Sequence, residues 1–299
     1  MQGTVQILMS TYNGERFLHE QLSSIYSQEG VDIMLTVRDD GSTDATRRIL
    51  EEESAAGRLQ WYTGANKGPA WSFWDLVLNA PDTEFYAFAD QDDVWDSNKL
   101  KAALEYIGDK GNEPALYFCQ TRLVDSQLRE IPNVTISPLL TYGEALMYQF
   151  VGGCTMVFNH ALRKLLKRYT PTYIRMHDVW IYDVALAVGA HVSFDRRPHM
   201  SYRQHGDNAV GQMKSLKFVW SNRYKRLRKN EHIRSRLAKE LLTGYGDIMS
   251  KYNRELTELV AGYRNSSGKW VKLFLSPRLK CASSSVTITG RMAILTRMF

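Results

Sequence analysis

The sequence predicts an α/β fold: a mostly parallel sheet flanked by helices, followed by a basic, mainly helical C-terminal extension. Three observations predict it. Short β-like runs alternate with helix-spaced runs through residues 1–125. Polar residues gather after each of the first four β-like runs. Charge divides the chain, because residues 1–210 carry 19 Lys+Arg against 27 Asp+Glu (net −8) and residues 211–299 carry 19 against 5 (net +14). Alternation at this pace is the pattern of strands connected by crossover helices.

The elements follow in order. VQILM (5–9) reads as a buried strand, and ERFLHEQLSSIYSQ (15–28) as a helix with Phe17, Leu18, Leu22, Ile25 and Tyr26 at helical spacing. DIMLTVRDD (32–40) is a strand ending in acids; Ser42 or Thr43 is the expected N-cap of the next helix. LQWYT (59–63) is a strand, and Pro69 suits the first turn of a helix to about Asn79. EFYAFA (84–89), a helix over 97–107, and ALYFCQTRLVD (115–125) as one further strand complete the series. The expected division is a catalytic unit over 1–210 and a basic helical unit over 211–299.

Composition excludes several classes. A hydrophobic share of 44% allows a sizeable core. The cysteines at 119, 154 and 281 are scattered and odd in number, which fits free thiols in a reducing compartment rather than a disulfide framework or a zinc site. No basic-then-apolar leader opens the sequence, and no run reaches the ~20 apolar residues of a bilayer span. A cytoplasmic protein is expected.

Open α/β sheets bind ligands at the carboxyl ends of their strands. There stand Ser10-Thr11-Tyr12-Asn13, Asp39-Asp40-Gly41-Ser42, Gly64-Ala65-Asn66-Lys67-Gly68 and Asp90-Gln91-Asp92-Asp93. Crowded carboxylates repel one another unless a cation sits between them. Asp90 and Asp92 have D-x-D spacing, which at a strand end aims both at one Mg²⁺ or Mn²⁺ beside a diphosphate. A solvated acidic turn before a helix N-terminus is the plain alternative.

STYNGERFLHEQLSSIYSQ, VRDDGSTDAT, NKG and FADQDDVWDSNKL, in this order, resemble the family 2 glycosyltransferases of GT-A fold. DQDDVW with the later HDVW and YRQHGDN resembles bacterial rhamnosyltransferase-like members that build surface polysaccharides. The resemblance implies that Thr11, Tyr12, Asn13 and Glu15 line the nucleotide pocket, that Asp40 meets the base or ribose, and that Asn66 is the polar residue of the third loop. It implies metal ligation by Asp92 and Asp90.

Inverting transfer needs one general base facing the acceptor hydroxyl. His177-Asp178 opens a helix-like run where the family shows an acidic pair. Asp178 is the expected base, with an N-cap role as the alternative and Asp183, one turn on, as the competing acid. Arg203 and His205 alternate and would face one way on a strand, Arg203 to hold a phosphate and His205 to meet metal or phosphate. The resemblance implies that this segment closes over the diphosphate. Gly153 is expected beside the acceptor, or in a plain turn. His177 is expected near the acceptor, or simply packed. Trp95 either walls the sugar site or packs in the core.

The chain lacks Q-x-x-R-W, the pattern of processive synthases, so transfer of a single sugar is expected. Trp71-Ser72-Phe73 replaces an Arg-Asn common in relatives; the subgroup likeness points to dTDP-rhamnose, and a UDP-hexose is the other donor. In the tail, Leu216, Val219, Trp220, Tyr224 and Leu227 alternate with six Lys/Arg residues between 217 and 229. Such a helix suits an anionic membrane surface, at about 1 kcal/mol per basic residue, and thereby a lipid-linked glycan acceptor at the inner membrane face. A helical pair packed on the first unit is the alternative; no nucleic-acid motif accompanies the charge. Residues 283–299 give no definite reading; disorder and self-association are the two alternatives there. Two rival functions remain open at this level: a sugar-nucleotide pyrophosphorylase, whose Gly-rich first loop STYNGERF matches poorly, and a non-catalytic binding module, against which the acids at 40, 90, 92 and 178 stand.

Overall fold

In the computed structural model, residues 3–133, 137–205 and 232–299 are described. The basic stretch over 217–229 and the residues after His205 in YRQHGDN lie outside them.

The main sheet has seven strands in the order β3-β2-β1-β4-β8-β6-β9: Gln60–Thr63, Asp32–Asp39, Thr4–Thr11, Phe85–Ala89, Val157–Asn159, Ala115–Cys119 and His191–Asp195. β1 runs parallel to β2 and β4, β2 to β3, and β6 to β9, whereas β8 is antiparallel to both its neighbours. Side chains alternate between two cores, as the period of a strand requires. Leu8, Tyr86, Phe88, Leu116 and Phe118 enter one core, while Val5, Ile7, Met9, Ala87, Ala89, Ala115 and Tyr117 enter the other.

Helices α1 (Leu18–Tyr26), α2 (Thr46–Ala55) and α4 (Lys99–Ile107) cover the second core. Helices α3 (Pro69–Asn79), α5 (Tyr142–Met147), α6 (His160–Leu166) and α7 (His177–Val188) cover the first. The C-terminal helices α8 (Ile233–Tyr245), α9 (Lys251–Gly262), α10 (Ser267–Leu275) and α11 (Ser284–Leu295) extend that same core through Leu241, Tyr245, Leu256, Leu273 and Ile294. Polar ties reinforce the packing: Tyr142 Oη lies 2.7 Å from Thr257 Oγ1, and Asn253 Nδ2 donates to Ala187 O at 3.0 Å. Helices α8–α11 thus pack on the first unit, whereas the basic segment for which a packed helical pair was the alternative lies largely outside the described residues.

Two element expectations change. The segment 115–125 is two strands, because after Cys119 the chain leaves the main sheet and β7 (Arg122–Val124) joins a second one. That second sheet, β5 (Val94–Trp95), β10 (Met200–Arg203) and β7, pairs residues about a hundred positions apart. Neither Ser42 nor Thr43 caps α2: the helix starts at Thr46, Asp44 Oδ1 accepts from Thr46 N at 3.0 Å, and the Ser42 hydroxyl is drawn to Asp39.

Candidate active site

The carboxyl ends of β1, β2 and β4 deliver three loops to one edge. The first two interlock. Thr11 Oγ1 donates to Asp39 Oδ1 at 3.2 Å, Asn13 N to Ser42 Oγ at 2.9 Å, Thr43 N to Asn13 Oδ1 at 2.8 Å, and Ala45 N to Glu15 Oε2 at 2.7 Å. Asn13 sits at φ 48, a left-handed position that asparagine tolerates better than most residues. Gln91 then clamps Tyr12 from the third loop, accepting from its N at 2.8 Å and donating to its O at 3.0 Å. This leaves the Tyr12 ring 49% exposed at the cleft rim. Gln91 received no role from the sequence, since nothing in an isolated glutamine signals a backbone clamp 79 residues away.

The two acids at the carboxyl end of β2, Asp39 and Asp40, are buried. Burial by itself would raise the Asp39 carboxyl, but hydrogen bonds from Ser42 and Arg47 hold it below the usual range. Asp40 pairs with the buried Arg38 and accepts from Lys67 N and Gly68 N at 3.0 and 2.9 Å. Both oxygens of Asp40 thus anchor the third-strand loop, which differs from the expected contact to base or ribose. Asn66 is exposed in that loop, its Oδ1 accepting from Gly68 N at 3.1 Å.

After β4 the acids diverge. Asp92 is partly exposed, with its Oδ2 2.8 Å from His205 Nε2. Asp93 is wholly buried; its Oδ1 accepts from Arg203 N at 3.2 Å, and its Oδ2 has no hydrogen-bond partner among the described residues. Asp90, Asp93 and Cys154 bring one potential ligand atom each within 4.8 Å of one another. Burial raises the Asp90 carboxyl to about 7, and the Asp92 and Asp178 carboxylates add to the rise. Burial likewise pushes Asp93 well above the carboxylate range and lifts the Cys154 thiol. Beneath them Lys99, lowered to about 8 by burial, donates to Cys154 O at 2.6 Å and lies 3.3 Å from the Trp95 ring centroid.

Carboxylate and imidazole groups suit a hard divalent cation, but among the described residues Asp92 meets His205, whereas the potential ligand atoms gathered around Asp90 are those of Asp93 and Cys154. Mutual carboxylate repulsion is what such a cation would relieve. A thiol that burial keeps protonated is a poor ligand for Mg²⁺ or Mn²⁺, so the deeper Asp90–Asp93–Cys154 group fits less well.

Asp178 stands in the first turn of α7, inside the helix rather than at its N-cap, Met176. Its Oδ2 accepts from Gly153 N at 3.0 Å and its Oδ1 from Val179 N at 2.7 Å. Burial raises its carboxyl, against the pull of those two amides. His177 is buried between rings, stacked 4.1 Å from Phe73 and edge-on 4.7 Å from Phe88. Burial lowers it to about 3, so it is a neutral spacer at ordinary pH. The packed reading of His177 is the one observed.

Two further expectations are corrected. Trp95 is 3% exposed, pairs with Met200 and belongs to a hydrophobic core, so it walls no sugar site. Arg203 and His205 do not share a strand, since β10 ends at Arg203. The Arg203 guanidinium is buried and spent on protein: Nε donates to Asp92 O at 2.8 Å, Nη1 to Ser126 O at 2.9 Å, and Nη2 pairs with Glu20. It is a strut under the D-x-D loop, not a hand for diphosphate. Asp183, the competing acid, is buried at α5–α7 with Gln149 Nε2 3.3 Å from its Oδ1.

Comparison with known proteins agrees with this architecture. The profile described as "Glycosyl transferase family 2" matches residues 6–175. The "dTDP-rhamnosyl transferase RfbG" of Shigella flexneri is 30% identical over 237 residues, 73% of this chain and 78% of that protein. The "UDP-Glc:alpha-D-GlcNAc-diphosphoundecaprenol beta-1,3-glucosyltransferase WfgD" of Escherichia coli is 26% identical over 180 residues, 60% of this chain and 68% of that protein. In fold, the chain resembles S. aureus TarS 1–349 in complex with UDP-GlcNAc, with a TM-score of 0.59 at 18% identity, covering 100% of this chain and 83% of that one. With the D-x-D loop at the sheet edge and the profile spanning more than half its length, this chain belongs to glycosyl transferase family 2, with the GT-A fold.

Proposed function

We propose that this chain is an inverting, non-processive, metal-dependent glycosyltransferase. It moves one sugar from a nucleoside diphosphate to a lipid-linked glycan at the inner face of the cell membrane, in surface polysaccharide synthesis. The likeness to a dTDP-rhamnosyl transferase favours dTDP-rhamnose as donor over a UDP-hexose, and the diphosphoundecaprenol in the name of the second relative favours a lipid-linked acceptor.

One observation carries the reading: Asp178 Oδ2 accepts from Gly153 N at 3.0 Å, and the next residue, Cys154, has its Sγ within 4.8 Å of a carboxylate oxygen of Asp90. That adjacency supports a shared site for the candidate base and the candidate metal ligands. Asp178 would take the proton from the acceptor hydroxyl as that oxygen bonds to the anomeric carbon from the face opposite the diphosphate. The bond from that carbon to the diphosphate oxygen breaks, the nucleoside diphosphate leaves with the electron pair, and the configuration inverts. A raised carboxyl is a stronger base once ionised, which suits the step. Asp90 and Asp92, with His205, are the residues that would hold Mn²⁺ or Mg²⁺, whose chemistry is to neutralise the departing diphosphate. Tyr12 and Asn66 are exposed, which leaves them available to a nucleotide base.

Two variants and one product analysis test this. Asp178→Asn should abolish transfer while metal-dependent dTDP binding persists; Asp92→Asn should abolish both. The product's anomeric configuration, read by NMR, should be opposite to the donor's. Retention of configuration, or an active Asp178→Asn enzyme, would sink the mechanism.

A further inference from the structure

Helices α10 and α11 are apolar on two opposite sides. On α11, Gly290, Ala293 and Ile294 are buried, and the reverse face carries Ile288, Met292 and Leu295 at i, i+4 and i+7. On α10, Leu273 is buried, and the reverse face carries Val271 and Leu275 at i and i+4. All five outward side chains are more than 40% exposed, Leu275 reaching 65% and Ile288 62%. The two helices are locked together: Arg291 donates to Phe274 O and Ser276 O at 2.6 and 3.0 Å, and Trp270 Nε1 donates to Ile294 O at 2.9 Å. Scattered surface leucines need no explanation, but aligned stripes on two clamped helices do.

Charge selects the occupant. Residues 264–299 hold seven Lys/Arg and no Asp or Glu, whereas residues 232–263 hold five against four. Lys272, Lys280 and Arg297 are exposed beside the stripes. A second copy of this chain would bring like charge against like across the contact. An anionic bilayer offers the opposite sign and an apolar interior for the same side chains.

We propose that the outward face of α10–α11 is a docking surface for an anionic lipid membrane, with Val271, Leu275, Ile288, Met292 and Leu295 entering the headgroup boundary and the lysines meeting lipid phosphates. The inference is independent of the donor and of the transfer chemistry. It places the membrane contact on helices fixed to the catalytic core, where the sequence alone pointed to residues 217–229.

The test is co-sedimentation of the full chain with vesicles of phosphatidylglycerol and phosphatidylcholine, and with phosphatidylcholine alone. The wild-type chain should bind the anionic vesicles and not the neutral ones. Leu275→Glu/Ile288→Glu should weaken binding by about tenfold or more, since two apolar insertions become two anions. Lys272→Glu/Lys280→Glu should weaken it by at least about tenfold, from roughly fivefold per lost cation. Because these side chains point away from the core, melting temperature and donor hydrolysis should be unchanged. No binding by the wild-type chain, or binding untouched by Leu275→Glu/Ile288→Glu, overturns the proposal. So does a drop in oligomeric mass in that variant by light scattering, which would assign the face to a second copy.

Discussion

The Asp92 carboxylate and the His205 imidazole meet at 2.8 Å across 113 residues of chain, while Arg203, two residues earlier, holds the Asp92 carbonyl. One residue of the D-x-D motif is thus gripped at its backbone and met at its side chain by the segment that follows β10. If the pair shares a cation, His205→Ala should raise the Mn²⁺ concentration for half-maximal transfer by about tenfold, with little change in melting temperature. Activity should fall to background in EDTA and return on adding Mn²⁺. Unchanged metal dependence in the variant would remove His205 from the site.

Gly153 admits no side chain. A Cβ there would lie 2.5 Å from His177 Nε2, and the imidazole cannot yield because Phe73 and Phe88 hold its faces. Gly153→Ala should therefore cost about 1–3 kcal/mol of stability and displace Asp178, whose Oδ2 takes its hydrogen bond from Gly153 N. Urea denaturation should show the loss, and turnover should fall more than donor binding. Gly153→Ala/His177→Ala should recover part of the stability; no recovery would mean that His177 is not the obstacle.

What the sequence disclosed follows the range of the interactions. The Pro69–Asn79 helix was legible to the residue because proline at N1 is a local signal. The four loops at the sheet edge were legible because strand–helix alternation fixes which ends converge. The second sheet was not, since Val94–Trp95 is two residues long and finds its partner at Met200. The same distance hid the fate of Trp95 and Arg203. An aromatic and a cation beside an acidic motif read as site residues until a strand from elsewhere covers them. Ser42 misled for a local reason, because the neighbouring buried Asp39 outcompetes the helix terminus for its hydroxyl.

Arg203→Ala should act on the fold before it acts on chemistry. It strips the Asp92 and Ser126 carbonyls of their donors and leaves Glu20 unpaired at a position where Glu20 is half exposed. The expected loss is about 3 kcal/mol. Arg203→Lys should not restore it, because a point charge cannot serve three acceptors in different directions. A variant with native stability and reduced nucleotide affinity would return Arg203 to the diphosphate.

Asp183 gives the stability of this protein a pH dependence of definite sign. Burial raises its carboxyl to about 7, against Arg234, the Gln149 amide and Arg175, which favour ionisation. In the unfolded chain the group titrates near the ordinary carboxylate value of about 3.9. Between those two values the folded state binds the proton and the unfolded state does not, so unfolding becomes easier as pH rises. The contribution is therefore fully present below about pH 4 and is lost as pH climbs through 7, by up to ~4 kcal/mol if Asp183 acted alone. Asp183→Asn removes the ionisation and keeps an acceptor for Gln149. Against wild type, the variant should be of similar stability just below pH 4 and increasingly more stable from there to pH 8, measured as urea midpoints on metal-free protein. Equal midpoints at pH 8 would show that Asp183 is paired well enough to ionise without penalty, and the buried-acid account of the α5–α7 contact would fail.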